Sequence, residues 1–293
     1  MRSSAGRSRA DAAASIVAVP TPARANRAYR RVAAVVRPVL FATTRRDWRG
    51  VENLPREGGF IVAANHVTQA DPLTLAHFLW DNGVVPRILA KASLFTAPVI
   101  GAALRGTGQI PVQRNSSAAG QSLDAGAQAV RDGECVVVFP EGTLTREPDM
   151  WPMQGKTGVA RLALTTRAPV IPVAQWGAHH LLARYGKVPH LFPRAHVEVL
   201  AGPPVVLDDL YDRPMDSATL REATERVMEA ITRLLEGIRG EQAPAVRFVP
   251  PPGGRDGRPD IGHAPVGHGH PRSRAGGGQL GHHVRDGAGR RRL

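Results

Sequence analysis

The chain has 293 residues, enough for one large domain with a sizeable core, and its formal net charge is +13. Residues 1–50 carry +9 and residues 251–293 carry +5, which leaves −1 for residues 51–250. Because these basic tails contain no nucleic-acid-binding motif and few aromatic residues, no nucleic acid is expected as a partner. An anionic membrane surface fits the N-terminal tail better, and a solvated, disordered segment is an equal alternative for the C-terminal one.

The N-terminal part is predicted to contain a disordered basic segment, residues 1–26, and then an amphipathic membrane-associating helix, residues 27–49. Residues 27–43 read RAYRRVAAVVRPVLFAT, basic first and then apolar, with an interruption at Arg37 and Pro38. The apolar stretch is shorter than the ~20 residues that span a bilayer, so we expect an interfacial helix with arginines at the lipid headgroups. The alternative is a helix that packs on the core.

Residues 50–240 are predicted to form the folded domain. The strand candidates are Phe60–Ala64, Arg87–Ala90, Gln109–Val112, Cys135–Phe139, Val170–Ala174 and Ala195–Leu200. The helix candidates are Pro72–Trp80, Leu94–Leu104, Ser116–Arg131, Thr157–Thr166 and Ser217–Ile238. This alternation indicates an α/β fold with a mixed, largely parallel β-sheet that is covered by helices. Pro172 cannot donate a ladder hydrogen bond, so its strand is expected at an edge of the sheet or with a bulge.

The C-terminal segment, residues 241–293, is rich in Gly, Pro, Arg and His and has no apolar periodicity, so it is predicted to be disordered. Its GHGH and GHH sequences are not expected to form a functional metal site. The chain has one cysteine, Cys135, which excludes an intrachain disulfide and is expected to be a small buried residue of a strand.

His66 and Asp71 are the first candidates for catalysis. They lie in the sequence NHVTQAD, residues 65–71, directly after the predicted strand Phe60–Ala64. The carboxyl end of a buried strand is where α/β sheets place ligands, and the spacing lets the carboxylate reach back to the imidazole. Such a carboxylate selects the histidine tautomer and stabilises the imidazolium, so the pair can act as a general base. Because the chain has no GxSxG nucleophile motif, the hydroxyl that this base activates is expected to belong to a substrate.

Three further sequence blocks follow the NHVTQAD motif. They are GQIPVQR at residues 108–114, FPEGTLTR at residues 139–146 and VIPVA at residues 170–174. In this order and at this spacing, the four blocks resemble the glycerolipid acyltransferase family, in particular the 1-acylglycerol-3-phosphate acyltransferases. The resemblance covers about residues 50–208.

The resemblance implies roles for the strand-end residues. It assigns His66 as the catalytic base, with Asp71 orienting it. It assigns Arg114 to the phosphate of the acceptor, which a forked guanidinium suits, and it makes Lys91 a second candidate phosphate ligand.

The FPEGTLTR block is implied to bind the acceptor. Glu141 and Gly142 are the family's acceptor-binding positions, and Thr143 adds a hydroxyl to the same site. The family usually has Arg two residues after the Gly, as in EGTR, whereas Leu144 stands there in this chain and the arginine comes at Arg146. This departure puts the acceptor specificity in doubt.

The implied function is transfer of a fatty acyl group from acyl-CoA or acyl-carrier protein to the free hydroxyl of 1-acylglycerol-3-phosphate, which forms phosphatidic acid in phospholipid biosynthesis. No metal or other cofactor is implied. The expected partners are the lysophospholipid acceptor and the acyl thioester donor, with peripheral or monotopic association at the cytoplasmic face of the cell membrane. Two alternatives stay open: another lysolipid or polar-lipid acceptor, and a non-catalytic membrane-binding homologue.

Overall fold

Seven strands form one β-sheet in the part of the chain that the structure, a computed structural model, describes: residues 25–113 and 119–251. The strands are β1 Thr44–Arg49, β2 Phe60–Ala64, β3 Pro86–Lys91, β4 Ile110–Val112, β5 Cys135–Val138, β6 Val170–Trp176 and β7 Ala195–Ala201. Their order across the sheet is β1-β7-β6-β2-β5-β3-β4.

The strand direction reverses once in this sheet. Strands β2, β3, β4, β5 and β6 run parallel, whereas β7 is antiparallel to β6 and β1 is parallel to β7. The carboxyl ends of the five parallel strands therefore lie on one side, together with the beginnings of β7 and β1. We call this side the carboxyl edge. In α/β sheets it is the side where ligand-binding loops emerge.

Helices cover both faces of the sheet. They are α1 Arg27–Thr43, α2 Asp71–Asp81, α3 Pro98–Gly106, α4 Ala119–Arg131, α5 Gly158–Thr166, α6 Ala178–Leu181 and α7 Ser217–Arg239. Side chains alternate along β2: Ile61 and Ala63 pack in a cluster with α4, α5 and α7, whereas Phe60 and Val62 pack in a cluster with α1 and α2. A strand that is apolar throughout is thus buried on both faces, as is typical of parallel sheets.

The predicted fold class is confirmed, and each strand predicted from the sequence is present, with ends displaced by at most two residues. The predicted helix Leu94–Leu104 differs, because the structure has a 3₁₀ helix, Ala92–Thr96, and then α3. Ala97, which separates the two, is extended with ψ 134°. A residue before proline disfavours the helical region, and Pro98 therefore restarts the helix.

The predicted helix over residues 27–43 is confirmed as α1, and it continues through Pro38. The assignment of residues 44–49 to the same helical segment was wrong, because these residues form β1. Their sequence TRRDWR has no apolar alternation, and the strand exists because Thr44 to Arg49 pair in parallel with Ala195 to Leu200 of β7. Asn26, which was assigned to the preceding disordered segment, caps α1 by accepting a hydrogen bond from the N–H of Tyr29.

The prediction that Pro172 marks an edge strand or a bulge is also wrong. Strand β6 lies between β2 and β7, and its register with β2 runs through Pro172 without interruption. The Pro172 carbonyl accepts a hydrogen bond from Gly202, just beyond the end of β7. The nitrogen and the carbonyl of one strand residue lie on the same flank, so the Pro172 nitrogen faces the chain just after β7, and the ladder between β6 and β2 loses no hydrogen bond.

Part of the predicted C-terminal tail lies within the described residues. Residues 241–251, which were assigned to the disordered C-terminal tail, lie against α7, where Arg247 donates to Thr232 Oγ1 at 2.9 Å and the Phe248 carbonyl accepts from Gln154. The predicted tails at 1–24 and 252–293 lie outside the described residues. Across the described ranges, no helix has the length and apolar character that would let it cross a membrane.

Burial of α7 leads to a stability prediction. Ile231 is fully buried at 0% exposure in the cluster shared by α4, α5 and α7. Ile231→Ala is expected to lower the free energy of unfolding by about 2–5 kcal/mol, because it removes apolar contacts and leaves a cavity. Denaturant unfolding measures the change. Glu229→Ala, at an exposed position of the same helix, is the control and is expected to change stability by less than about 0.5 kcal/mol. Equal effects of the two substitutions would contradict the packing of this face.

Candidate active site

The histidine and aspartate of NHVTQAD form a hydrogen-bonded pair at the carboxyl edge. His66 follows β2, and Asp71 is the first residue of α2. The distance from His66 Nδ1 to Asp71 Oδ2 is 3.0 Å, and the two side chains are 12% and 2% exposed. A carboxylate accepts the proton of Nδ1, and Nε2 is then the nitrogen that can take a proton from a substrate. This part of the predicted site has the geometry of a general base and its orienting acid.

Asp71 is itself held by the turn that it closes. The same oxygen, Oδ2, accepts hydrogen bonds from the N–H groups of Val67 at 2.5 Å and Thr68 at 2.8 Å. The Thr68 hydroxyl donates to the carbonyl of Leu182 at 2.5 Å, which connects this turn to the segment after β6. The carboxylate therefore has little freedom to rotate away from the imidazole.

Glu141 faces the backbone of residues 65–70, the catalytic loop between β2 and α2. Its Oε1 accepts from the His66 N–H at 2.8 Å, its Oε2 accepts from the Met153 N–H at 3.1 Å, and the residue is 1% exposed. The N–H of Thr145 donates to the His66 carbonyl at 2.7 Å. The main chain of His66 is thus held on both sides by the loop that follows β5.

Burial dominates the protonation of Glu141. Desolvation raises the pKa of the carboxyl to about 8, and the N–H groups of Met153 and His66 lower it only in part. At neutral pH a substantial fraction of the carboxyl is therefore protonated in the folded protein.

A second buried pair, Asn65 and Gln175, fixes the beginning of the catalytic loop. Asn65 Oδ1 accepts from the Gln175 N–H at 2.8 Å, and Asn65 Nδ2 donates to the Gln175 carbonyl at 3.0 Å. The Gln175 amide accepts from the Thr74 hydroxyl at 3.1 Å, which adds α2 to the network. Asn65 is a strand-end hydrogen-bonding residue, as its position in the sequence indicates. The role of Gln175 was not predicted, although a polar residue directly after the apolar run VIPVA is a sequence signal for it.

The surface beside the imidazole is formed by the first residues of FPEGTLTR. The rings of Phe139 and His66 stack with centroids 4.3 Å apart. Gly142 has φ +69°, a conformation that favours glycine, and its N–H donates to the Phe139 carbonyl at 2.9 Å. A Cβ at Gly142 would lie 3.0 Å from Cδ of Lys156, so this exposed lysine lies over the turn.

The other predicted site residues are Thr143, Lys91 and Arg114. Thr143 is half-buried in the same loop as Glu141, and Lys91 is half-buried at the end of β3, on the carboxyl edge. Arg114, the predicted phosphate ligand, lies outside the described residues. The structure thus brings together His66, Asp71, Glu141 and Gly142, and it sets Lys91 on the same edge of the sheet.

Arg184 and Tyr185, which lie between β6 and β7, contact the loop that follows β5. Neither residue has a sequence signal for this role. Arg184 Nη1 donates to the carbonyl of Glu147 at 2.5 Å and approaches that of Thr145 at 3.4 Å, and the Tyr185 hydroxyl also approaches Thr145 at 3.4 Å. Since Thr145 holds the His66 carbonyl, these contacts extend the support of the catalytic loop to the segment between β6 and β7. The described ranges contain no group of three or more His, Cys, Asp or Glu side chains arranged to hold a metal ion.

A protein-family model described as Acyltransferase matches residues 45–176, which run from the second residue of β1 to the end of β6 and include every residue described above as contacting His66. Residues 45–176 are therefore an acyltransferase-family domain. The predicted enzyme class, an acyltransferase, is therefore confirmed.

Among proteins of similar sequence, a 1-acyl-sn-glycerol-3-phosphate acyltransferase of Bacillus subtilis is 29% identical over 186 residues, which are 62% of this acyltransferase and 84% of the relative. An enzyme of the same name from Borreliella burgdorferi is 32% identical, over 46% of this chain and 52% of the relative. An uncharacterized protein of Mycobacterium tuberculosis is 34% identical, over 58% of this chain and 51% of the relative. This acyltransferase thus spans about half the length of the last two relatives.

A solved structure shares the fold. The crystal structure of the 1-acyl-sn-glycerophosphate acyltransferase from Thermotoga maritima matches with a TM-score of 0.52 and 22% sequence identity, over 72% of this chain and 82% of that chain. The mixed, largely parallel sheet and its covering helices are therefore an established architecture for an acyltransferase.

The His66–Asp71 pair leads to a prediction for the acyltransferase activity. Asp71→Asn is expected to lower kcat by about 10²–10⁴, because the amide neither selects the same imidazole tautomer nor stabilises the imidazolium. Steady-state kinetics measure this loss, and circular dichroism checks that the fold persists. Asp124→Asn, at an exposed position of α4, is the matched control and is expected to leave kcat unchanged. Similar kcat values for the two variants would contradict the role of Asp71.

The buried Glu141 carboxyl leads to a second prediction. Its folded-state pKa of about 8 lies above the ordinary value of 4.5, so its protonation stabilises the folded state below pH 4.5, and this stabilisation is lost as the pH rises to 8. Glu141→Gln is expected to remove this decline relative to the wild type, as measured by thermal unfolding across that range. The control is Glu52→Gln, at an exposed position, which should follow the wild-type profile. Parallel profiles of wild type and Glu141→Gln would argue against a raised pKa.

Proposed function

We propose that the enzyme transfers a fatty acyl group from acyl-CoA or acyl-carrier protein to the free hydroxyl of 1-acylglycerol-3-phosphate and so forms phosphatidic acid. The observation that supports this most directly is the 3.0 Å contact between His66 Nδ1 and Asp71 Oδ2 at the end of β2. The pair has the geometry to activate a hydroxyl, and the relatives with assigned names at similar identity act on 1-acyl-sn-glycerol-3-phosphate according to those names.

The proposed reaction needs one proton shuttle and no cofactor. His66 Nε2 takes the proton of the acceptor hydroxyl while the hydroxyl oxygen attacks the thioester carbonyl carbon. The C–S bond breaks as the tetrahedral intermediate collapses, the new C–O ester bond remains, and the leaving thiolate receives the proton from the imidazolium. Asp71 stabilises the imidazolium while it exists. Glu141 acts as a positioning residue, because it holds the His66 main chain and does not face the open site.

The acceptor phosphate is proposed to meet cationic side chains along the carboxyl edge. Lys91 lies at the end of β3, and Arg114 comes two residues after β4 in the sequence, the strand that pairs in parallel with β3. Exposed Lys156 lies over Gly142 in the adjacent loop and is a further candidate cation. A phosphomonoester fits such a group of cations through charge-assisted hydrogen bonds.

A second candidate acceptor is favoured by one residue. Leu144 stands where the family usually has an arginine, so one cation that would contact a phosphate is replaced by an apolar side chain. Transfer to another lysolipid or polar-lipid acceptor is therefore the second candidate function. The intact His66–Asp71 pair argues against a non-catalytic homologue, because a protein without chemistry has no need to hold this geometry.

Peripheral membrane association is proposed from the exposed faces of α1 and α3. Val35 and Val39 on α1 are 70% and 53% exposed, and Val99 and Ile100 on α3 are 82% and 54% exposed. Helix α1 ends where β1 begins and α3 starts shortly after β3 ends, so both apolar faces lie toward the carboxyl edge. A bilayer on this side would deliver a lipid acceptor to His66.

Helix α1 also carries cations, at the end that lies away from the carboxyl edge. Arg27, Arg30 and Arg31, in its first turns, are exposed and suit anionic headgroups. The use of acyl-CoA or acyl-carrier protein as donor would place the enzyme at the cytoplasmic face of the cell membrane.

The deciding experiment is thiol release from a long-chain acyl-CoA by purified protein on liposomes, with and without lysophosphatidate. Release is expected to require the acceptor and to fall by about 10²–10⁴ in His66→Ala, since general-base catalysis contributes this much. The matched control is His196→Ala, which removes an exposed histidine of β7 and should keep full activity. Release that needs a different lysolipid would favour the second candidate function. Wild-type turnover in His66→Ala, or no turnover with any acceptor by folded protein, would overturn the proposal.

A further inference from the structure

The loop between α6 and β7, residues 183–194, exposes large apolar side chains. Its sequence is ARYGKVPHLFPR. Val188 is 72% exposed, Leu191 is 42% exposed and Phe192 is 79% exposed. Exposing such side chains to water is unfavourable, so a cluster of them at one loop tip indicates a contact surface.

The charges in this loop favour an anionic partner. Residues 183–194 include Arg184, Lys187 and Arg194 and no Asp or Glu. His190, between the apolar residues, is exposed, as is Lys187. Apolar side chains interleaved with cations fit a lipid surface with anionic headgroups, where the apolar groups enter the acyl boundary and the cations remain at the phosphates.

The loop is fixed at its base, so its tip projects in a defined direction. Arg184 donates to the Glu147 carbonyl at 2.5 Å at one end. At the other end, Arg194 Nη2 donates to the carbonyls of Phe41 and Thr44, both at 2.6 Å. The backbone N–H of His190 also donates to the Leu181 carbonyl at 2.8 Å. These bonds hold the loop against the junction of α1 and β1.

The sheet places this loop beside the active site. Because β7 is antiparallel to β6, the connection between them lies at the carboxyl edge, where His66 also lies. The hydroxyl of Thr68, in the catalytic loop, donates to the carbonyl of Leu182, the residue directly before the loop 183–194. The exposed apolar residues of α1 approach the same edge.

We propose that residues 183–194 form a second membrane-binding element, which inserts Val188, Leu191 and Phe192 into an anionic lipid surface and so orients the active site toward the bilayer. The inference rests on the proposed function, because a lipid acceptor is what makes this orientation useful. A second copy of the chain is the competing occupant. The loop suits lipid better, since it has cations and no carboxylate with which an identical basic loop could pair.

Vesicle sedimentation of the full chain tests the proposal. Phe192→Asp is expected to lower the partition coefficient onto phosphatidylcholine–phosphatidylglycerol vesicles by about tenfold or more, because it removes an apolar side chain that would enter the bilayer and adds a charge. The matched control is Val206→Asp. Val206 is 69% exposed but follows β7 at the opposite edge of the sheet, so its replacement should leave partitioning unchanged. Equal partitioning of Phe192→Asp and wild type would overturn the proposal.

A labelling experiment reports insertion without removing an anchor. The chain's single cysteine, Cys135, is buried, so Leu191→Cys creates one accessible thiol for an environment-sensitive fluorophore. Adding the same vesicles is expected to shift the emission of the label to the blue, whereas the label in Val206→Cys should not respond. No shift at position 191 on vesicles that bind the protein would contradict insertion of the loop.

Two further measurements separate the possible failures. Analytical ultracentrifugation of wild type and Phe192→Asp would overturn the proposal if the wild type dimerises through this face and vesicle binding does not depend on Phe192. Turnover with a short-chain, water-soluble lysophosphatidate is expected to be the same in Phe192→Asp and wild type, since this assay needs no bilayer. Absence of that turnover in the wild type would count against the proposed function, while loop-dependent vesicle binding would still support the membrane element.

Discussion

The catalytic geometry depends on the way the loop after β5 holds the main chain of His66. Glu141 accepts a hydrogen bond from the His66 N–H, Thr145 donates to the His66 carbonyl, and Asp71 then orients the imidazole. Because the backbone is held on both sides, the side chain needs only one further contact to select its tautomer. The buried carboxyl of Glu141 has a desolvation cost, which appears as its raised pKa, and in return it joins His66 to Met153.

The sheet explains why loops from distant parts of the sequence meet at this histidine. Parallel strands β2, β3, β4, β5 and β6 end at one edge, so NHVTQAD, Lys91 and FPEGTLTR emerge side by side. The reversal at β7 is equally important, because it returns the chain to the same edge through residues 183–194. It also lets β1 begin there, which brings the end of α1 to the site.

The distribution of charge fits an enzyme that works on a surface. The body between residues 51 and 250 has a net charge of −1, whereas the N-terminal 50 residues carry +9. Apolar residues of α1 and α3, together with cations of the loop before β7, face the side where His66 lies. Attraction to anionic headgroups and burial of apolar side chains would then act together, and the lipid acceptor would reach the base without leaving the bilayer.

The sequence by itself determined the elements whose signals are local. Apolar runs identified the strands, and the five-residue spacing in NHVTQAD identified the His66–Asp71 pair, because a turn followed by a helix start brings these two side chains together whatever surrounds them. Only the tertiary structure decided features that depend on distant partners. The polar segment TRRDWR becomes β1 through pairing with β7. Pro172 is tolerated inside the sheet because its nitrogen faces away from β2, toward the chain just after β7. Gln175 holds Asn65 from 110 residues away in the sequence, and Glu141 holds the His66 N–H from 75 residues away, so no local pattern pairs either residue with its partner. Such contacts follow from how strands are ordered in a sheet, and that order is set by burial of the whole core rather than by any short segment.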